Sequence, residues 1–158
     1  MAPKIITHLM FEGAAEQAMN FYVSIFKNSK VKDISRYSDV GPGPKGSVMT
    51  AAFELDGQEF VALNGGPQFK FNMAVSFVVN CETQKEIDEM WDKLSAGGRP
   101  NQCGWLTDKF GLAWQIVPTI LPKLATDKNP AKVSRVMQAM MQMTKIDIAK
   151  LQQAYDRA

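Results

Sequence analysis

The feature that most constrains this chain is a repeated pattern. Ala18, Phe21, Tyr22 and Ile25 recur as Ile87, Met90, Trp91 and Leu94, each pair separated by roughly 69 residues. Both sets follow the three- and four-residue steps of one helix face. Each helix follows a strand-like run and precedes a meander of further strand-like runs. Such a unit cannot bury both faces of its sheet alone, whereas two can share a core. The pattern therefore predicts an α+β fold: two modules of strand, helix and strand meander sharing one core, with helices outside and a concave sheet surface inside.

Local signals place the elements. Ile5 to Phe11 reads as a first strand, and Glu12-Gly13 breaks it. A helix is expected over Ala14 to Phe26, ended by Asn28-Ser29, then strands at Val31 to Ser38, Val48 to Leu55 and Gln58 to Asn64. Asp56-Gly57 is a hairpin signal, because both residues tolerate positive φ. Gly41 to Gly46 holds two prolines among its glycines and reads as a loop. The second module opens with a strand at Met73 to Val79. Thr83 and Glu86 have capping-box spacing, with Glu86 expected to reach back to the Thr83 amide. Gly97-Gly98 stops that helix. Short strands follow around Asn101 to Thr107 and Leu112 to Pro118, joined by a turn at Asp108 to Gly111 that Asp108 and Lys109 shape. Modules of about 1–68 and 69–120 make one domain.

The remainder, 121–158, is expected to be a helical hairpin. Asn129-Pro130 has cap and first-turn chemistry, and Val133, Val136, Met137, Met140 and Met141 form a stripe. Thr144 with Asp147 starts another helix carrying Ile148, Leu151 and Tyr155.

Composition excludes several classes. A chain of 158 residues buries about 70% of its unfolded surface and needs no disulfide or metal to fold. A net charge of +2 argues against nucleic acid as a partner. No run approaches a membrane span, and Met1 to Lys4 does not read as a signal peptide. Two cysteines, Cys81 and Cys103, are too few for a disulfide framework. A reducing, cytoplasmic setting is the default expectation. His8 is the single histidine, so a site needing two is excluded.

Long motifs carry a resemblance. Leu9-Met10-Phe11-Glu12-Gly13-Ala14-Ala15-Glu16-Gln17-Ala18 leads into Phe21-Tyr22. Leu55 to Gln58 and Leu63 to Pro67 continue the match. It is strongest over Cys103-Gly104-Trp105-Leu106-Thr107-Asp108-Lys109-Phe110-Gly111-Leu112-Ala113-Trp114-Gln115-Ile116-Val117-Pro118, and the tail at Val136 to Met140 and Lys145 to Asp147 adds to it. The chain resembles PhnB-like proteins, also labelled the 3-demethylubiquinone 3-methyltransferase-like family. Met10 departs from it, since the family more often has Trp there. That family lies in the vicinal oxygen chelate superfamily, with glyoxalase I, extradiol dioxygenases and bleomycin-resistance proteins. The resemblance implies paired βαβββ modules forming a cupped mixed sheet and a homodimer, in some members with exchanged modules.

Metalloenzymes of the superfamily draw His, Glu or Gln ligands from the first, fourth, fifth and eighth strands. Here those positions are expected near Thr7 or His8, Ala62, Met73 and Gln115. Only His8 and Gln115 can ligate, so no metal and no other cofactor is expected. The methyltransferase label also fits poorly. Gly41 to Gly46 lies between two strands, not at the strand-to-helix turn that cradles S-adenosylmethionine, and its prolines remove amide donors.

What remains is a small-molecule site. Strand alternation points His8 and Met10 inward from the first strand, Phe60, Ala62 and Asn64 from the fourth, and Met73, Val75 and Phe77 from the fifth. Cys103 and Trp105 line its rim, and Ala113, Gln115 and Val117 its floor. Trp114 points to the opposite face, into core. The leading expectation is metal-independent binding of a small hydrophobic or aromatic molecule by His8, Met10, Phe60, Asn64, Met73, Phe77, Cys103, Trp105 and Gln115. Two alternatives stand beside it. One is a lyase, isomerase or dioxygenase with a degenerate or subunit-shared metal site, or with His8 as a proton carrier. The other is an interaction module whose working part is the Met-rich tail.

Overall fold

A computed structural model describes residues 3–157, so Met1 and Ala2 of the expected leaderless N-terminus lie outside the described residues. The chain divides into two compact units, Met1–Lys70 and Phe71–Ala158.

The first unit runs β1 (Thr7–Phe11), α1 (Ala15–Ile25), β2 (Lys30–Arg36), β3 (Val48–Leu55) and β4 (Gln58–Asn64). Its sheet has the order β1-β4-β3-β2, with β1 parallel to β4 and the other pairs antiparallel. Asp56 (φ 46°) and Gly57 (φ 81°) make the expected tight turn between β3 and β4. Helix α1 buries Ala15, Ala18, Met19, Tyr22 and Ile25. Against them stand Leu9, Phe11, Ala51, Phe53, Phe60 and Ala62, all buried. An aromatic run holds this core: Phe11 to Tyr22 at 6.5 Å, Tyr22 to Phe53 at 6.4 Å, Phe53 to Phe60 at 5.5 Å between centroids.

The second unit repeats the plan with β5 (Ser76–Cys81), α2 (Gln84–Ser95), β6 (Arg99–Pro100), β7 (Trp105–Thr107) and β8 (Ala113–Pro118), in the order β5-β8-β7-β6. Here β5 and β8 are parallel. Ile87, Trp91 and Leu94 of α2 are buried, as are Leu106, Trp114 and Ile116 of the sheet. The tail belongs to this unit. It forms a short α3 (Leu121–Ala125), then α4 (Pro130–Met141) and α5 (Ile148–Asp156), which touch each other. Leu124, Val136, Met143, Ile146 and Leu151 make their core.

Several expected boundaries move. Strand β1 starts at Thr7, leaving Ile5 90% exposed, and β2 ends at Arg36. Strand β5 starts at Ser76, not Met73. Asn72 Oδ1 accepts from the Ala74 amide at 2.8 Å, and this side-chain turn holds Met73 out of the strand. Thr83 caps α2 as expected, its Oγ1 accepting from the Glu86 amide at 3.2 Å. Glu86 instead reaches the amide of Glu82, at 2.8 Å. Asn129 caps α4 through the Ala131 amide. Asp147 is the N-cap of α5, accepting from the Lys150 amide, and Thr144 stands outside the helix.

Candidate functional site

Each sheet has one face covered by its helix and one facing away, here called distal. Pairing and burial settle which side chains share the distal face, since alternate residues of a strand point to opposite sides. In the first unit Leu9 and Phe11 are buried under α1, so His8 and Met10 are distal. His8 pairs with Val61, and Val61 with Ala52. Met10 pairs with Leu63, and Leu63 with Thr50. His8 is exposed and Met10 half-buried.

Phe60 and Asn64 are not with them. Phe60 is buried on the helix side, stacked on Phe53. Asn64 Oδ1 accepts from the Ala15 amide at 2.9 Å, and its Nδ2 donates to the Val48 carbonyl at 3.2 Å. Ala14, at the cap position of α1, has no side-chain acceptor. Asn64 supplies that acceptor from the neighbouring strand. Both residues are corrected from inward-pointing to helix-side, because Phe60–Val61–Ala62–Leu63 is apolar on both faces and hides its phase.

In the second unit the distal row is Trp105, Gln115 and Val78. Trp105 pairs with Gln115 across β7 and β8, and Gln115 with Val78 across β8 and β5. Gln115 Nε2 donates to Ser76 Oγ at 2.9 Å, which fixes the carboxamide beside the indole. Trp105 and Gln115 are half-buried and Val78 is 51% exposed. Ala113 and Val117 share the face by alternation with Gln115.

Two further expectations, for Phe77 and for Met73 with Val75, are corrected here. Phe77 lies with the helix-side indole of Trp114, centroids 5.5 Å apart, because its pairing residue on β8 is Trp114. Met73 and Val75 precede β5 and are 47% and 65% exposed. Cys103 sits in a turn with φ 59°, its amide donating to the Met143 carbonyl at 2.8 Å. Trp114 is helix-side core as expected, at 4% exposure. The residues missed were Val61, Ser76 and Val78. Counting β5 alternation back from the buried Cys81 would have found the last two.

The two units can be equated by their hydrogen bonds. The Gly65 amide donates to the Phe11 carbonyl, and the Thr119 amide to the Cys81 carbonyl, at matching positions beyond the parallel pairs. Phe11 thus corresponds to Cys81 and Asn64 to Pro118. It follows that His8 corresponds to Val78, and Val61 to Gln115. The helices match at roughly 69 residues and the first strands at roughly 70. The connection Glu12-Gly13-Ala14 is one residue longer than Glu82-Thr83.

The first-, fourth-, fifth- and eighth-strand positions are His8, Val61, Val78 and Gln115, rather than the expected set with Ala62 and Met73. One imidazole and one carboxamide are the only donors among them. Among the described residues, no group of three or more His, Cys, Asp or Glu could hold a metal ion. Each unit thus carries one donor at its matched pair of positions, and neither pair fits a tightly held catalytic divalent ion.

Electrostatics nearby are mild. Lys32 on β2 pairs with Glu59 on β4 across β3, and Lys70 pairs with Glu12 at 2.6 Å. Burial, with Glu86 adding to it, pushes the Cys81 thiol up to about 11, so this cysteine is an inert core thiol. Among the described residues, no helix is long and apolar enough to cross a membrane.

Comparison with known proteins agrees with this architecture. Residues 3–117 match the family described as 3-demethylubiquinone-9 3-methyltransferase. A solved structure described as a putative 3-demethylubiquinone-9 3-methyltransferase, PhnB protein, from Bacillus cereus is 43% identical. The match covers 74% of this chain and 100% of that one, with a TM-score of 0.69. Protein PA1353 from Pseudomonas aeruginosa (20% identity, 74% and 98% coverage, TM-score 0.60) has a similar fold. So does the fosfomycin resistance protein FosX from Listeria monocytogenes (14% identity, 78% and 96% coverage, TM-score 0.56). No match was found among curated proteins. With more than two thirds of its length matched, and with βαβββ units of the same kind, the chain belongs to the 3-demethylubiquinone-9 3-methyltransferase, or PhnB-like, family.

Proposed function

We propose that this protein binds a small apolar or aromatic molecule on the distal face of its sheets, without a metal ion. One observation carries the reading: Trp105, Gln115 and Val78 stand side by side in cross-strand register. An indole offers a flat apolar surface, a valine extends it, and a carboxamide held by Ser76 supplies one oriented polar group. On the first unit, His8 and Met10 offer a similar mix of one polar group and one soft apolar one. Methyl transfer gains no support from this chain's residues. Its Gly-rich segment, 41–46, joins β2 to β3 and does not open a helix. Self-association goes with the reading and is measured by sedimentation velocity.

Titration with naphthol in EDTA, followed by calorimetry, tests it. Saturable binding that Trp105→Ala weakens about tenfold supports the proposal. Naphthol binding unchanged in Trp105→Ala and in Gln115→Ala overturns it. Near-stoichiometric metal, retained after desalting and lost in His8→Ala, overturns the metal-free part.

A further inference from the structure

The family match ends at residue 117, yet the segment beyond it is bonded into the turn that presents Trp105. The Cys103 amide donates to the Met143 carbonyl and the Gly104 amide to the Thr144 carbonyl, both at 2.8 Å. Gly104 in turn accepts from the Ile116 amide at 2.8 Å. The turn is thus clamped between β8 on one side and the segment 143–144 on the other.

Close packing backs the clamp. Gly104 has φ 81°, and a Cβ there would lie 2.8 Å from the Ile116 carbonyl oxygen and 2.9 Å from Ile146 Cγ1. Ile146 is 1% exposed. Its backbone is held in place by Gln84, the first residue of α2. Gln84 Nε2 donates to the Ile146 carbonyl at 3.0 Å, and Oε1 accepts from the Ile148 amide at 2.9 Å. That amide is one of the first-turn donors of α5, which have no partner inside the helix. Lys145 adds an ion pair to Asp88 at 2.8 Å. One helix of the family core therefore anchors the extension, and the extension grips the Cys103-Gly104 turn.

We propose that segment 143–146 is a positioning element for the Trp105 face, with Gln84 as its anchor, and that it sets the affinity of that face for its ligand. The inference rests on the binding reading above. The indole follows the clamped Gly104 directly, so its place beside Gln115 depends on where the turn is held. Loosening the clamp leaves the helix-side core intact while letting Trp105 leave its row.

The full-length Gln84→Leu variant tests this, since leucine keeps the bulk and removes both bonds to the extension, together with the one Nε2 donates to Asp88 Oδ1 at 3.1 Å. Protein labelled with 5-fluorotryptophan has three tryptophan signals, with that of Trp105 assigned through Trp105→Phe. In Gln84→Leu the Trp105 signal is expected to shift or broaden while those of Trp91 and Trp114 stay. Naphthol affinity is expected to fall about fivefold, and not to fall further when Gln84→Leu is added to Trp105→Ala. Ile146→Val, a milder change to the same clamp, gives the same pattern at smaller amplitude and serves if Gln84→Leu does not fold. A moved Trp105 signal with unchanged affinity overturns the proposal and leaves the binding reading standing. So does an unmoved signal, or an equal loss of affinity in the Trp105→Ala background. Absence of naphthol binding in the unmodified protein overturns both.

Discussion

The indole of Trp114 donates its Nε1–H to Oδ2 of Asp108 at 2.8 Å, inside the core of the second unit. Asp108 is 2% exposed. Its other oxygen accepts from the amides of Phe110 and Leu112, at 2.8 and 3.0 Å. One carboxylate thus ties the β7–β8 turn to the strand that carries Gln115. Asp108→Ala removes the acceptor of three hydrogen bonds and opens a void. The expected cost is about 3 kcal/mol in urea unfolding. Trp114→Phe added to it should cost less than the sum of the two single changes, and a fully additive result would show that the bond contributes nothing.

Two glycines share one φ and differ in what surrounds them. Gly57 and Gly104 both have φ 81°, but a Cβ at Gly57 meets only Asn28 Nδ2, at 3.9 Å. Gly57→Ala should cost about 1 kcal/mol, the backbone penalty alone. Gly104→Ala adds a collision with a backbone oxygen and should cost more than about 2 kcal/mol. Equal midpoints for the two variants in thermal unfolding would refute the crowding argument.

Stability should also fall in mild alkali. The Cys81 thiol ionises at about 11 in the fold against 9.0 for an ordinary cysteine, because burial disfavours the thiolate and Glu86 adds to the effect. Above 9 the unfolded chain has lost this proton while the folded chain keeps it. Unfolding then releases a proton, so raising pH from 9 toward 11 favours the unfolded state, and the contribution is complete below 9. Cys81→Ala should flatten this part of the stability profile. An unchanged slope in that variant would locate the effect elsewhere.

The tail offers a local test. Arg135 on α4 donates from Nε to the Ala154 carbonyl at 3.1 Å and from an Nη to the Arg157 carbonyl at 2.6 Å, closing the end of α5. A lysine cannot fork in this way. Arg135→Lys is expected to cost about 1 kcal/mol and to raise amide exchange at the end of α5 first. Uniform loss of protection along the tail would count against this local role.

The parts of the fold that local chemistry dictates could be read from the residues. Asp56-Gly57 demands positive φ, Thr83 and Asn129 offer cap oxygens, and Ile87, Trp91 and Leu94 keep a helical step. The phase of two strands could not be read. Residues 60–63 are apolar throughout, so alternation gives no sign of which side faces α1, and only the capping role of Asn64 resolves it. Met73 and Val75 look like strand residues, but the Asn72 side chain bonds the chain into a turn before β5 begins. A slip of phase moves every side chain to the other face, which is how Phe77 and Phe60 were exchanged for Val78 and Val61. Across β8 the phase is legible, because Trp114 is tied into the core by Asp108 and so Gln115 faces the other way.

The equation of His8 with Val78, and of Gln115 with Val61, means that the two halves of the chain are no longer interchangeable. At each matched pair one copy carries a polar group and the other a valine, and the pairs do so in opposite directions. A chain built from the first half twice would bear two imidazoles and no carboxamide, and one built from the second half twice would bear the reverse. The repeat is complementary rather than redundant: each half carries the polar side chain that its sibling lacks.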